Sequence, residues 1–94
     1  MKLVSIKPAT DGKHKYTAIF DIDGKSKTTH FGAAGYDDFI KTKDVKKKEA
    51  YLARHKVNEN WSDPTTAGAL SRYILWNKPS LRASIADFKK RFNL

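Results

Sequence analysis

Apolar and polar residues alternate along the first third of the chain, which is the pattern of half-buried β-strands. The alternation from Leu3 to Lys7 stops at Pro8, and residues 15–22 are rich in β-branched and aromatic types. The dipeptide Asp23-Gly24 follows, and both residues tolerate the positive φ angles that a type I′ hairpin turn requires. We therefore predict three antiparallel strands within residues 1–32.

The two-residue turn also predicts the register of the hairpin. The expected pairs are Ile22 with Lys25, Phe20 with Lys27, Ala18 with Thr29, and Tyr16 with Phe31. Side chains alternate between the two faces of a sheet, so one face collects Tyr16, Ala18, Phe20, Ile22 and Phe31. We expect that face to pack against the core.

Helical spacing begins near Thr42 and continues to about Lys56. Either Thr42 or Asp44 is expected to cap this first helix, because both side chains accept hydrogen bonds from the free N–H groups of a first turn. One face of this helix is expected to carry its apolar residues Val45, Tyr51 and Leu52.

Two more helices follow. The second is expected to begin with Asp63 as its N-cap and Pro64 at its first position, and to run to about Trp76. It is apolar nearly all round, which is typical of a central helix. Ser80 is expected to cap the third helix, whose apolar stripe consists of Leu81, Ile85, Phe88 and Phe92.

This order of elements predicts an α+β fold in which an N-terminal three-stranded antiparallel sheet packs on three C-terminal helices (βββααα). Residues 1–94 suit one domain, because a chain of this length has no room for a second core. Within it, the strands are expected in residues 1–32 and the helices in residues 42–94.

Positive charge is concentrated in the helical part. Residues 1–40 hold six Lys and five Asp, a net charge of +1, whereas residues 41–94 hold nine Lys and four Arg against five acids, a net charge of +8. Folding alone requires no such imbalance, because like charges on one surface repel each other. A polyanionic partner explains it, and nucleic acid is the commonest one.

The basic residues lie near the start and end of the first helix and at the end of the third. Lysines at a helix start are locally unfavourable because they face the positive end of its dipole, and phosphate contact is a reason to tolerate that cost. The candidates for nucleic-acid contact are Lys43, Lys46, Lys47, Lys48, Arg54, Lys56, Arg72, Arg82, Lys89, Lys90 and Arg91.

Other interpretations of the same residues stay open. Tyr51, Trp61 and Tyr73 would stack on bases if they were exposed, but such aromatics also serve as core, and a basic surface can simply be solvated. Lys outnumbers Arg in the basic clusters, which favours backbone contact over bidentate recognition of guanine. The last two helices also have the order of a helix-turn-helix, with Arg82, Ser84 and Lys89 toward a groove.

Catalytic and metal-binding signatures are weak. Residues 20–24 have the Asp-x-Asp-Gly spacing of some phosphatase and calcium loops, but the chain is too short for that phosphatase fold. Gly32 also stands where a calcium loop needs Glu. The histidines are scattered, and the absence of Cys excludes thiolate sites. We expect a non-enzymatic protein without a cofactor or metal.

One long motif is distinctive. The run ENWSDPTTAGALSRYILW occupies residues 59–76 and is followed by Lys78–Leu81 and Lys89–Phe92, together with His30–Gly32 and Arg54-His55 upstream. Through these residues the chain, from about Lys15 onward, resembles a family of small basic proteins encoded by large DNA viruses of algae and protists. The resemblance implies no site residues, since no activity is established for that family. It implies a setting in which a viral genome is packaged or expressed.

We therefore expect a protein that binds nucleic acid, DNA rather than RNA, through phosphate contacts with little sequence specificity. The alternative is a small structural or accessory virion protein that docks on an acidic surface of a capsid or core protein; an accessory subunit of a transcription or replication complex is a third. The N-terminus is too charged for a signal peptide, and no stretch approaches the ~20 apolar residues of a membrane span. The expected location is the host cytoplasm or nucleus and the virion interior, without secretion or a membrane partner.

Overall fold

The computed structural model of the protein describes residues 1–57 and 59–94. The strands β1 (Lys2–Pro8), β2 (His14–Ile22) and β3 (Lys25–Ala33) form an antiparallel sheet in the order β1-β2-β3. The helices that follow are α1 (Phe39–Thr42), α2 (Val45–His55), α3 (Ala67–Leu70) and α4 (Leu81–Phe92), and a π-helical segment (Ser71–Leu75) continues α3. A sheet followed by helices confirms the predicted α+β class.

The β2–β3 hairpin has the predicted register. The observed pairs include Ile22 with Lys25, Phe20 with Lys27, Ala18 with Thr29, and Tyr16 with Phe31. Asp23 and Gly24 have φ angles of 52° and 81°, as a type I′ turn requires. The carboxylate of Asp21 accepts a hydrogen bond from the Gly24 N–H at 3.0 Å. This acidic segment therefore supports a turn.

The apolar face of the sheet packs against the helices to form the core. Phe20, Phe31, Leu70, Ile74 and Phe88 are at most 1% exposed. Each buried aromatic ring removes roughly 150–250 Å² from water, so this contact is the main force that holds the sheet to the helices. The apolar stripe predicted for α4 belongs to the same core. The predicted cap is also present, because the Ser80 Oγ accepts a hydrogen bond from the Ala83 N–H at 3.2 Å.

The predicted first helix corresponds to α2, and a separate short helix, α1, precedes it. The Asp38 side chain caps α1, and Lys43, with a φ angle of 54°, ends it in a left-handed conformation. Asp44 then caps α2 by accepting a hydrogen bond from the Lys46 N–H at 3.0 Å. The expectation that Val45 shares the apolar face is wrong, because Val45 is 56% exposed.

The predicted start of the second helix is also wrong. The helix begins at Ala67 with Thr66 as its cap, whereas the Asp63 carboxylate accepts hydrogen bonds from the Thr65 N–H and hydroxyl at 2.9 and 2.8 Å. The reason lies in the sheet: the Thr65 hydroxyl accepts a hydrogen bond from Lys27 at 3.0 Å, and its carbonyl accepts one from Thr29 at 2.7 Å. These contacts hold residues 63–66 against β3 as a turn.

Two features do not occur in the part of the chain that the structure describes. None of its helices has the length and apolar character needed to cross a bilayer. No three His, Asp or Glu side chains come together there in an arrangement that could hold a metal ion.

Candidate nucleic-acid interface

The consecutive residues Lys46, Lys47 and Lys48 leave α2 in three directions, because successive helical residues are about 100° apart. Lys46 is exposed to solvent. The Lys47 Nζ lies 3.2 Å from a carboxylate oxygen of Asp37. The Lys48 Nζ donates a hydrogen bond to the Asn77 carbonyl at 2.7 Å. The run of lysines therefore forms no single patch.

Lys48 belongs to a group of positive side chains that separate segments bring together. This cationic cluster consists of Lys48 of α2, Arg72 of the π-helical segment, Lys78 in the connection before α4, and Arg91 of α4. Burial is the main cause that lowers the pKa of Lys48, and the charges of Arg72 and Lys78 lower it further. The charge of Arg91 has the same effect on the pKa of Arg72. The cations are thus close enough to repel each other.

Arg72 is held by aromatic rings and a backbone carbonyl. Its guanidinium carbon lies 5.5 Å from the centroid of the Trp61 ring and 4.9 Å from that of Tyr73. Its Nη1 donates a hydrogen bond to the Trp76 carbonyl at 3.0 Å. Burial is the main cause that lowers the pKa of Arg72, although an arginine stays charged in proteins. Among residues 1–57 and 59–94, no carboxylate lies within ion-pair distance of it.

Asp87 of α4 supplies a carboxylate to the cluster. Its Oδ2 accepts hydrogen bonds from Asn77 Nδ2 at 2.7 Å and from Arg91 Nη2 at 3.4 Å. The hydrogen bond from Asn77 is the main cause that lowers the pKa of Asp87, so the carboxylate is ionised at neutral pH. The four cations together with this carboxylate carry a net charge of +3.

Besides Lys46, four of the other predicted residues lie on or beside α2. Arg54 follows Lys47 by two turns on the same face of the helix, and both line a pocket between α2 and the sheet. Lys43 and Lys56 are the C-cap residues of α1 and α2. The Lys43 Nζ donates a hydrogen bond to the Ile40 carbonyl at 2.8 Å. None of these four side chains joins the cationic cluster as defined above.

The basic residues of α4 are likewise spread around their helix. Lys89 follows Arg82 by two turns on one flank, and Arg91 lies on the opposite flank, because these positions differ by about half a rotation. Lys90 is exposed on the side away from the core. Of the predicted residues, the structure therefore brings together Lys48, Arg72 and Arg91.

Two expectations about contact residues are corrected by burial. Tyr51 is packed between Trp76 and His55, with ring centroids 4.5 and 4.2 Å away, so its faces cannot stack on bases. Ser84 is 0% exposed, and its Oγ accepts a hydrogen bond from the Lys78 N–H at 3.0 Å. It cannot face a DNA groove, and the helix-turn-helix interpretation loses one of its three contacts.

Lys78 is a member of the cluster that sequence reasoning missed. It stands alone between Asn77 and Pro79, whereas all the predicted candidates except Arg72 and Arg82 belong to clusters of basic residues in the sequence. The available signal was its position: a cation in a short connection between two packed helices lies close to both of them. The hydrogen bonds that Ser84 makes with the Lys78 backbone fix that position.

The fold and the cluster together define a small α+β domain with a preorganised, positively charged site. Residues 4–55 match a family of proteins described as "Family of unknown function (DUF5754)". Because this match covers more than half of the chain, the protein belongs to that family. The matched region runs from within β1 to the end of α2 and includes Lys48 of the cluster. No curated protein and no solved structure matches the chain.

Proposed function

We propose that the protein binds nucleic acid through phosphate contacts, with the cationic cluster as its anchor and without catalysing a reaction. The observation that supports this is how the cations are held. Lys48 and Arg72 donate hydrogen bonds to the backbone carbonyls of Asn77 and Trp76. A carbonyl fixes the position of a cation without neutralising it, so the positive charge remains available to pair with a polyanion.

The chemistry of the cluster favours phosphate over base edges. Arg72 and Arg91 each have a guanidinium carbon 4.9 Å from the centroid of the Tyr73 ring, which keeps the two groups together. A guanidinium offers planar paired donors that fit phosphate oxygens, and lysines add point charges. Phosphate contacts carry no sequence information, so we propose binding with little sequence preference. In line with the resemblance to small basic proteins of large DNA viruses, the proposed setting is the packaging or expression of a viral DNA genome.

The first test is the salt dependence of binding to a labelled DNA duplex, measured by fluorescence anisotropy. If the four cations neutralise four phosphates, log K falls with log salt at a slope of about −3.6. The affinity then drops roughly 150-fold between about 50 and 200 mM salt. Absence of binding at the lower salt concentration, or an affinity that ignores salt, would contradict the proposal.

A pair of matched double variants tests the assignment to the cluster. Lys78→Gln with Arg91→Gln removes two cluster charges, and the slope is expected to fall to about −1.8. Lys7→Gln with Lys25→Gln removes the same charge from exposed positions on the sheet, and the slope should stay unchanged. If the salt slope falls equally in the two double variants, binding depends on net charge alone, and the cluster has no special role.

A further inference from the structure

A pocket of about 710 Å³ lies between α2, the ends of β2 and β3, and the π-helical segment. Small-molecule sites usually occupy about 300–1,000 Å³, so this volume suits a small ligand. Its lining does not include any of the four members of the cationic cluster. It is therefore a separate feature of the surface, on another side of α2.

Close packing of β3 on the π-helical segment forms one wall. Gly32 has a φ angle of 75°, and a Cβ placed on it would lie 2.6 Å from the Leu75 Cδ1. Leu75 and Trp76 form the base of the pocket and are 2% and 9% exposed, whereas Tyr36 in the lining is 72% exposed. The Tyr51 ring is covered by Trp76 and His55, so it meets an occupant with its edge. A flat group can therefore stack on the exposed Tyr36 ring.

The charges in the pocket differ along α2. Arg54 is exposed and makes no ion pair within the described ranges 1–57 and 59–94. About 10 Å away along the helix, Lys47 pairs with Asp37. The hydrogen bond from Lys47 is the main cause that lowers the pKa of Asp37, so a carboxylate is present there. One end thus offers a guanidinium and the other an acceptor for hydroxyl groups.

Lys15 also lines the pocket, but its ammonium group already has partners. It donates hydrogen bonds to the Tyr36 carbonyl and, at 2.6 Å, to the Asp38 carboxylate. This ion pair is largely buried, with side-chain exposures of 18% and 8%. Arg54 is therefore the group in the lining best suited to an additional anion.

We propose that this pocket binds a phosphate monoester that carries a sugar and a planar ring, that is, a mononucleotide. The phosphate contacts Arg54, the planar ring stacks on the exposed Tyr36 ring, and the sugar hydroxyls donate to Asp37. This proposal goes beyond nucleic-acid binding, because its ligand is a free small molecule and its residues lie outside the cluster.

Isothermal titration of the full chain with AMP, adenosine and inorganic phosphate tests the site. AMP is expected to bind at least about ten-fold more tightly than either fragment, because only AMP joins the ionic contact to the apolar one. In a Trp61→Phe background, the remaining tryptophan, Trp76, should change its fluorescence on AMP binding. If phosphate binds as tightly as AMP, or if AMP does not bind, the proposal is wrong.

Variants of α2 separate the contributions of charge and shape. Arg54→Gln should weaken AMP binding about ten-fold and leave adenosine unchanged, while Arg54→Lys should retain part of the affinity. Ala50→Leu should fill the pocket and weaken both ligands; Ala50 is exposed, so the helix tolerates the larger side chain. Lys25→Gln, which removes one charge at the distant hairpin turn, should leave all affinities unchanged. An effect of Lys25→Gln equal to that of Arg54→Gln, or no effect of Ala50→Leu, would overturn the assignment.

Discussion

The substitution Gly32→Ala should destabilise the protein through two separable effects. Gly32 has a φ angle of 75°, and this left-handed conformation costs an L-residue about 1–2 kcal/mol. The added Cβ would also lie 2.6 Å from the Leu75 Cδ1 and 3.3 Å from the Lys15 Cβ. Overpacking of this kind costs about 1–3 kcal/mol. We therefore expect the free energy of unfolding to fall by about 2–5 kcal/mol.

Two other glycines provide matched controls for the backbone effect. Gly24 and Gly35 have φ angles of +81° and +86°, and a Cβ on either would meet no atom of the described residues within 4 Å. Gly24→Ala and Gly35→Ala therefore carry only the conformational cost of about 1–2 kcal/mol. The difference between Gly32→Ala and these controls isolates the overpacking against Leu75.

Urea unfolding followed by far-ultraviolet circular dichroism measures all three variants on one scale. Relative to the two controls, Gly32→Ala should lose about 1–3 kcal/mol more of the free energy of unfolding. Each further kcal/mol corresponds to a fall in Tm of about 4–8 °C. If the three variants lose the same stability, β3 does not press on the π-helical segment as described. The wall assigned to the pocket would then be wrong as well.

Three further predictions concern single side chains. The lowered pKa of Asp87 stabilises the fold above the pKa of the unfolded carboxyl group, and this contribution is lost as the pH falls through the folded pKa. Asp87→Asn should therefore flatten the acid side of a stability–pH curve obtained by urea unfolding, and an unchanged curve would contradict it. Ser80→Ala removes the cap of α4 and should lower the free energy of unfolding by about 1 kcal/mol in thermal melts, whereas Ser80→Asn should restore it. Burial raises the pKa of Tyr51 to about 12, so an ultraviolet titration should show a tyrosine that ionises near that pH and disappears in Tyr51→Phe.

Local signals explain which parts of the fold could be predicted. The Asp23-Gly24 turn fixes the hairpin through its own φ angles, and Ser80 with the apolar stripe behind it fixes α4. The predicted start of the second helix is wrong because the contacts that determine where α3 begins are distant in sequence. Thr65 is held by Lys27 and Thr29, which lie 38 and 36 residues earlier in the chain. A capping pattern cannot reveal contacts of that kind.

The candidate site could be predicted only in part, for a geometric reason. The distribution of charge correctly indicated that the cluster lies in the helical half of the chain. Neighbouring lysines on a helix diverge by about 100°, however, so consecutive lysines in the sequence do not form one patch on the surface. The cluster forms where α4 packs beside the π-helical segment and brings Arg91 to Arg72. That packing also gives Lys78, isolated in sequence, a place in the cluster.

The position of α2 between two charged surfaces decides which experiments can separate the two proposals. Lys48 belongs to the cationic cluster, whereas Lys47 and Arg54 line the pocket on another side of the same helix. Charge reversal of the whole run from Lys46 to Lys48 would perturb both sites at once, and a loss of binding could not be assigned to either. Substitutions at Lys78 and Arg91 act on the cluster alone, and substitutions at Arg54 act on the pocket alone. A defect in DNA binding that appears only in the first set, with a defect in AMP binding only in the second, is therefore the pattern expected if α2 divides two independent anion sites.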